Sequence, residues 1–87
     1  MTQNSQYAGV ITLEDLAKTL AFQVQMTEHQ AYQALRAFGH IVVTAVAQDK
    51  AVQIEGFGMF DKGHKPNGEP AIRFRQHNSV REVLSHG

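Results

Sequence analysis

The sequence has no cysteine, no tryptophan and only two prolines in 87 residues. Without cysteine there is no disulfide framework, and no thiolate can act as nucleophile or metal ligand. This suits a cytoplasmic protein. No apolar run approaches the roughly 20 residues that span a bilayer, and the polar start Met1-Thr2-Gln3-Asn4-Ser5-Gln6 lacks the basic and apolar regions of a signal peptide. No membrane partner is expected. An excess of one charge is also missing, since eight Lys and Arg balance eight Asp and Glu. Taken as a total, that balance argues against a polyanionic partner.

The distribution of charge says more than the total. Residues 1–61 carry three basic side chains against six acidic ones, whereas residues 62–87 carry five basic against two acidic. The C-terminal third is therefore the candidate surface for an anionic partner. At 43% apolar and 18% charged residues, the chain is apolar enough to fold. It is also short: one domain at most, burying so little surface that association with a second copy is a natural remedy.

Enzymatic chemistry has no visible seat. The five histidines, His29, His40, His64, His77 and His86, are not spaced as His-x-x-x-His on a helix and have no cysteines beside them. Ser5, Ser79 and Ser85 have no nucleophile-elbow context, and no glycine-rich loop follows a strand and opens a helix. The expectation is a protein that is not an enzyme, with no cofactor and no metal.

Residues 1–10 lack periodicity and are expected to form a flexible N-terminal extension, with one domain over residues 11–87. Thr12-Leu13-Glu14-Asp15 supplies an N-cap hydroxyl with an acid three residues on, and Leu13, Leu16, Ala17, Leu20 and Ala21 then recur at helical spacing to about Gln23. Thr27-Glu28-His29-Gln30 repeats the cap and opens a longer helix to about Gln48, with an apolar stripe through Ala31, Leu35, Phe38, Val42, Ala45 and Val46. Gly39, inside that helix, is expected to let another helix approach closely. Ala51-Val52-Gln53-Ile54-Glu55 alternates as a half-buried strand does, and Gly56-Phe57-Gly58 marks a bulge or sharp bend. Ser79-Val80-Arg81-Glu82 predicts a short terminal helix capped by Ser79, with Asn78 as the competing cap.

Between these lies a hairpin whose register can be derived. Pro66 suits the first central position of a type I turn, Asn67 the second, and Gly68 the left-handed position that completes a G1 bulge. Lys65 then faces Glu69, and counting back sets Gly63 opposite Ala71, Lys62 opposite Ile72, Asp61 opposite Arg73 and Phe60 opposite Phe74. Phe60, Phe74 and Ile72 share one face, while Asp61/Arg73 and Lys65/Glu69 form opposite-charge pairs on the other. A two-residue Asn67-Gly68 loop would instead shift the pairing by one and separate the phenylalanines.

Two helices, then Val52-x-Ile54-x-Gly56-Phe57-Gly58-x-Phe60, a β-hairpin, and Phe74-Arg75 leading into a short helix: over residues 11–85 this order resembles the HU and integration host factor family of bacterial histone-like proteins. The resemblance implies an α+β fold: a helical hairpin, then a β-sheet with a β-hairpin arm, then a short C-terminal helix, built as an intertwined dimer. It also implies that Phe57, Phe60 and Phe74 form a shared aromatic dimer core. Arms in this family reach around double-stranded DNA in the minor groove, with a proline near each tip. Pro66-x-Gly68 matches the tip, but both limbs are shortened here. At roughly 3.3 Å per residue the hairpin reaches only about 20 Å beyond the phenylalanines, too little to wrap a duplex.

The DNA-binding candidates are Lys62, Lys65, Pro66, Arg73, Arg75 and Arg81, of which Lys65 and Arg73 face acids in the derived register. Three readings follow. One is a homodimeric, nucleoid-associated DNA-binding protein, bacterial or encoded by a phage or plasmid, that contacts phosphates with little sequence preference. Another is an HU-like dimerisation module with a protein partner and no DNA wrapping. The third is a winged helix, a monomer whose second helix reads DNA.

Overall fold

The structure is a computed structural model that describes residues 8–86. Residues 1–7, most of the expected N-terminal extension, lie outside the described residues. The element order is α1 (Leu13–Val24), α2 (Glu28–Ala47), β1 (Val52–Ile54), β2 (Gly58–His64), β3 (Pro70–Gln76) and α3 (Asn78–His86). This is an α+β fold of three helices and one three-stranded antiparallel sheet in the order β1-β2-β3. The chain divides into two compact units, one ending at Phe38 and the other beginning at Gly39.

In the first unit, both helix starts follow from local hydrogen bonding. The Thr12 hydroxyl accepts from the Asp15 amide at 3.2 Å, and the Asp15 carboxylate accepts from the Thr12 amide at 3.2 Å. Thr27 and Gln30 repeat that reciprocal box at 3.0 Å in each direction. Each box satisfies two amides that a helix N-terminus would otherwise leave unpaired. Helix α1 ends on Gln25, held left-handed at φ 57°, a conformation that suits glycine better. The core of this unit is built from small side chains: Ala17 and Ala21 of α1 bury against Ala31 of α2, flanked by Leu20, Met26, Tyr32 and Leu35.

In the second unit, α2 stops in a Schellman arrangement. The Lys50 amide donates to the Ala45 carbonyl at 3.0 Å and the Asp49 amide to the Val46 carbonyl at 2.9 Å, with Asp49 left-handed at φ 62°. A tight turn then joins β1 to β2. The Phe57 amide donates to the Ile54 carbonyl at 3.0 Å, and Gly56 has φ 80°, so Gly56-Phe57-Gly58 is the sharp bend that its two glycines predict. Among the described residues nothing lies within 4 Å of where a Cβ on Gly39 would stand, so none of them makes the close approach expected there.

The start of α3 corrects the sequence-based expectation. The helix begins at Asn78, and His77, rather than Ser79 or Asn78, caps it: His77 Nδ1 accepts from the Ser79 amide at 3.1 Å. The His77 amide is itself tied to the Phe57 carbonyl at 2.8 Å, which fixes the cap against the β1–β2 turn. An imidazole nitrogen thus does what hydroxyl and carboxamide caps usually do.

Candidate nucleic-acid interface

The hairpin tip has the chemistry its residues dictate. The Gly68 amide donates to the Lys65 carbonyl at 2.8 Å, closing a turn over Pro66 and Asn67, and the Lys65 amide donates to the Glu69 carbonyl at 2.8 Å. Gly68 takes φ 91°, and Asn67 Oδ1 accepts from the Glu69 amide at 3.0 Å. Pro66 initiates the turn and is exposed. From the turn the register runs as derived: Gly63↔Ala71, Lys62↔Ile72, Asp61↔Arg73 and Phe60↔Phe74.

That register sorts the site residues onto two faces, because alternate side chains of a strand point opposite ways. One face carries Val52, Ile54, Phe60, Lys62, Ile72 and Phe74. Here Phe57, Phe60 and Phe74 gather: ring centroids lie 4.9 Å apart for Phe60 and Phe74, 5.0 Å for Phe57 and Phe74, and 6.3 Å for Phe57 and Phe60, all tilted. Gly58 makes the cluster possible. A Cβ on it would stand 2.6 Å from the Phe74 ring and 2.5 Å from the Arg75 carbonyl oxygen, so only glycine leaves room for the ring. An open apolar groove runs on from this face between Val43 and Val46 of α2 and Ile72 of β3. Phe57 and Phe74 nonetheless remain 47% and 41% exposed.

The other face carries Met59, Asp61, Arg73 and Arg75, and here the structure departs from expectation. Two of the four hairpin cations were expected to face acids; all four do. Asp61 Oδ1 accepts from Arg73 Nε at 2.9 Å, and its Oδ2 accepts from Arg73 Nη2 at 3.2 Å and from Arg75 Nη2 at 2.7 Å. Lys65 Nζ lies 3.8 Å from Glu69. Lys62, on the aromatic face, reaches back to Asp49 at 2.7 Å. The Arg75 contact is a diagonal cross-strand pair, legible in principle from the register; the Asp49 contact has no local signal, because it joins the end of a helix to a strand.

These pairs set the local electrostatics. The hydrogen bond from Arg73 holds the Asp61 carboxyl below its ordinary range, against partial burial and with help from Arg75. The same partnership raises Arg73 further above its usual value. A hydrogen bond from Lys62 lowers Asp49 in the same sense. Arg81 stands apart on α3, exposed and in no ion pair among the described residues. Arg73, Arg75 and Lys65 thus share a face, Lys62 lies on the opposite one, and Arg81 belongs to another element. Among the described residues no three His, Asp or Glu side chains gather as a metal site, and no helix is long and apolar enough to cross a membrane.

Comparison with known proteins decides the family, because the model of the bacterial DNA-binding protein family matches residues 11–82. The chain belongs to this family, that of HU and integration host factor. Solved HU structures share its fold. An Anabaena HU–DNA cocrystal structure is 22% identical with a TM-score of 0.74, covering 87% of this chain and 99% of that one. An HU mutant from Thermotoga maritima is 18% identical with a TM-score of 0.71, covering 82% of this chain and 94% of that one. No curated protein matches. In this HU-family chain, the Gly56-Phe57-Gly58-x-Phe60 run builds the aromatic cluster and the paired arginines occupy the outer face of the hairpin.

Proposed function

We propose that this HU-family chain works as a homodimer that binds the phosphate backbone of double-stranded DNA with little sequence preference. The observation that carries the DNA reading is the pair Arg73 and Arg75, two strand positions apart on one exposed face of β3, 52% and 55% accessible. Guanidiniums so placed suit successive phosphates, and a phosphate contact carries no sequence information. Lys65 at the same face and Arg81 on α3 would add to the contact. The likeness to an HU protein crystallised with DNA supports this reading. The seven-residue strands β2 and β3 make a short arm, so the contact grips one side of a duplex without wrapping it, and Pro66 serves the turn.

The homodimer rests on the aromatic cluster. Phe57, Phe60 and Phe74 pack on one another yet leave about half of two rings open, and Phe22, Ile41, Val83 and Leu84 are exposed as well. That much open apolar surface on so small a chain calls for a cover. A second copy presenting the same rings would close it by two-fold symmetry. The domain would span residues 11–87, in a cytoplasmic, nucleoid-associated role without catalysis.

The second reading, an HU-like protein-interaction module, is favoured by a separate observation: each of the four hairpin cations already has an acidic partner. Titration with duplex DNA at a series of salt concentrations, beside a mass measurement in solution, separates the two. A dimer whose DNA affinity falls steeply with salt upholds the first reading. A dimer that forms no complex even at low ionic strength removes it and leaves the second.

A further inference from the structure

We propose that Arg73 and Arg75 form a two-guanidinium phosphate fork and that Asp61 is its resident occupant, so that DNA engages the hairpin only by displacing this carboxylate. The inference rests on the DNA-binding reading above and concerns how that same face is regulated.

The geometry is that of a filled anion site. Arg73 presents Nε and Nη2 side by side to the two Asp61 oxygens, at 2.9 and 3.2 Å, the fork by which a guanidinium takes two oxygens of a carboxylate or a phosphate. Arg75 adds a third donor at 2.7 Å, on the oxygen that Arg73 Nη2 also contacts. The Nε/Nη2 edge of Arg73, the edge that takes two oxygens of one phosphate, is therefore spent on Asp61, together with the Nη2 of Arg75. Accessibility runs the right way for exchange: both arginines are about half exposed, whereas the Asp61 side chain is only 17% exposed and sits at the base of the fork. A phosphodiester can approach the guanidiniums from solvent without first moving the backbone. The other two pairs do not share this arrangement. Lys65 meets Glu69 at 3.8 Å with no shared oxygen, and Lys62 points to the opposite face.

Displacement has a thermodynamic signature. When DNA takes the fork, the freed carboxylate stays beside the phosphates as an uncompensated negative charge, which reduces both affinity and the net number of counterions released. Removing that charge while keeping the side chain's shape should reverse both.

The experiment is a salt series of anisotropy titrations of a fluorescein-labelled duplex with the full-length wild type, D61N, and E55Q as a control that removes a charge from the β1–β2 turn. D61N is expected to bind about tenfold tighter at low salt, with a salt slope steeper by about one, while E55Q stays within about twofold of wild type. Wild type and D61N binding alike would overturn the inference and leave the DNA reading intact; equal gains in D61N and E55Q would reduce it to bulk charge. Absence of binding by both wild type and D61N would remove the DNA reading and this inference with it. Should D61N fold poorly, nitrogen NMR of the wild type reads the same exchange: the Arg73 Nε resonance must move as duplex saturates the protein. A resonance that stays in place at saturation overturns the inference.

Discussion

Phe60 and Phe74 stand directly opposite each other across β2 and β3, with ring centroids 4.9 Å apart. A shift of one residue in the pairing would send the two rings to opposite faces, so this contact and the Lys65–Glu69 turn specify the same register from opposite ends of the hairpin. The rings also tie the sheet to the proposed dimer. Phe74→Ala should cost about 3 kcal/mol or more, as truncation of a packed aromatic does, and should abolish self-association. Denaturant unfolding and sedimentation of the same sample test both parts. A variant as stable and as dimeric as wild type would refute the role given to the cluster.

Gly58 is the second test of that cluster. A Cβ there meets the Arg75 carbonyl oxygen, which is backbone and cannot swing away, as well as the Phe74 ring. Gly58→Ala should destabilise by roughly 1–3 kcal/mol, the usual cost of overpacking. Gly56→Ala has open space around it but keeps φ 80°, so its cost comes from backbone strain alone and should be about 1–2 kcal/mol. Thermal melts of the two variants should both fall below wild type.

The cap of α3 can be tested by what the imidazole supplies. Since His77 Nδ1 accepts from the Ser79 amide, His77→Ala should cost about 1 kcal/mol, whereas His77→Asn, which keeps a short acceptor, should cost less. Hydrogen exchange at Ser79 and Val80 reports the difference locally. Equal protection in wild type and His77→Ala would show that the ring does no capping.

Acid stability should depend on Asp61. Its carboxyl is held below the ordinary range in the folded state, first by the Arg73 hydrogen bond, so the ion pair stabilises the fold at pH values above the unfolded carboxylate pKa of about 3.9. That contribution is lost as pH falls through the lower, folded value. Asp49 and Asp15 are shifted in the same direction and add to the acid limb. D61N should therefore lie below wild type in melting temperature at neutral pH and converge with it in acid. Parallel curves across that range would count against the ion pair as a source of stability.

Arg73→Ala combined with Arg75→Ala should leave the fold nearly intact, because both side chains are half exposed and exposed ion pairs contribute only about 0–1 kcal/mol. Duplex affinity should fall, with a salt slope shallower by about one to two. Circular dichroism and the anisotropy series together check this. Unchanged DNA affinity would move the interface away from the hairpin.

Much of this fold was legible in the sequence, for reasons that can be named residue by residue. Thr12 with Asp15 and Thr27 with Gln30 announce helix starts because a cap acts over three residues and needs nothing from the rest of the chain. Pro66, Asn67 and Gly68 decide a turn by their own backbone preferences, and the turn decides the register of seven cross-strand pairs. From that register followed the shared face of Phe60 and Phe74 and the Asp61/Arg73 pair. The cap of α3 is not legible in this way, because Ser-x-x-Glu is the commoner signal while the capping side chain is a histidine whose amide is anchored to Phe57.

What the sequence by itself determined is the set of interactions that act within a few residues or repeat along a strand: the helix caps, the hairpin turn, and the side of the sheet to which each ring belongs. Only the tertiary structure decided which partners distant side chains find. Asp61 holds a second arginine because Arg75, a diagonal neighbour that the register permits but does not choose, turns its guanidinium onto the same carboxylate. Lys62, which the register already sets on the face away from Arg73 and Arg75, finds an acid there because the chain brings Asp49, just past the end of α2, within reach. Gly58 lies under Phe74 for the same kind of reason: close approach between residues far apart in sequence depends on the path of the backbone in three dimensions, which no short stretch of residues encodes.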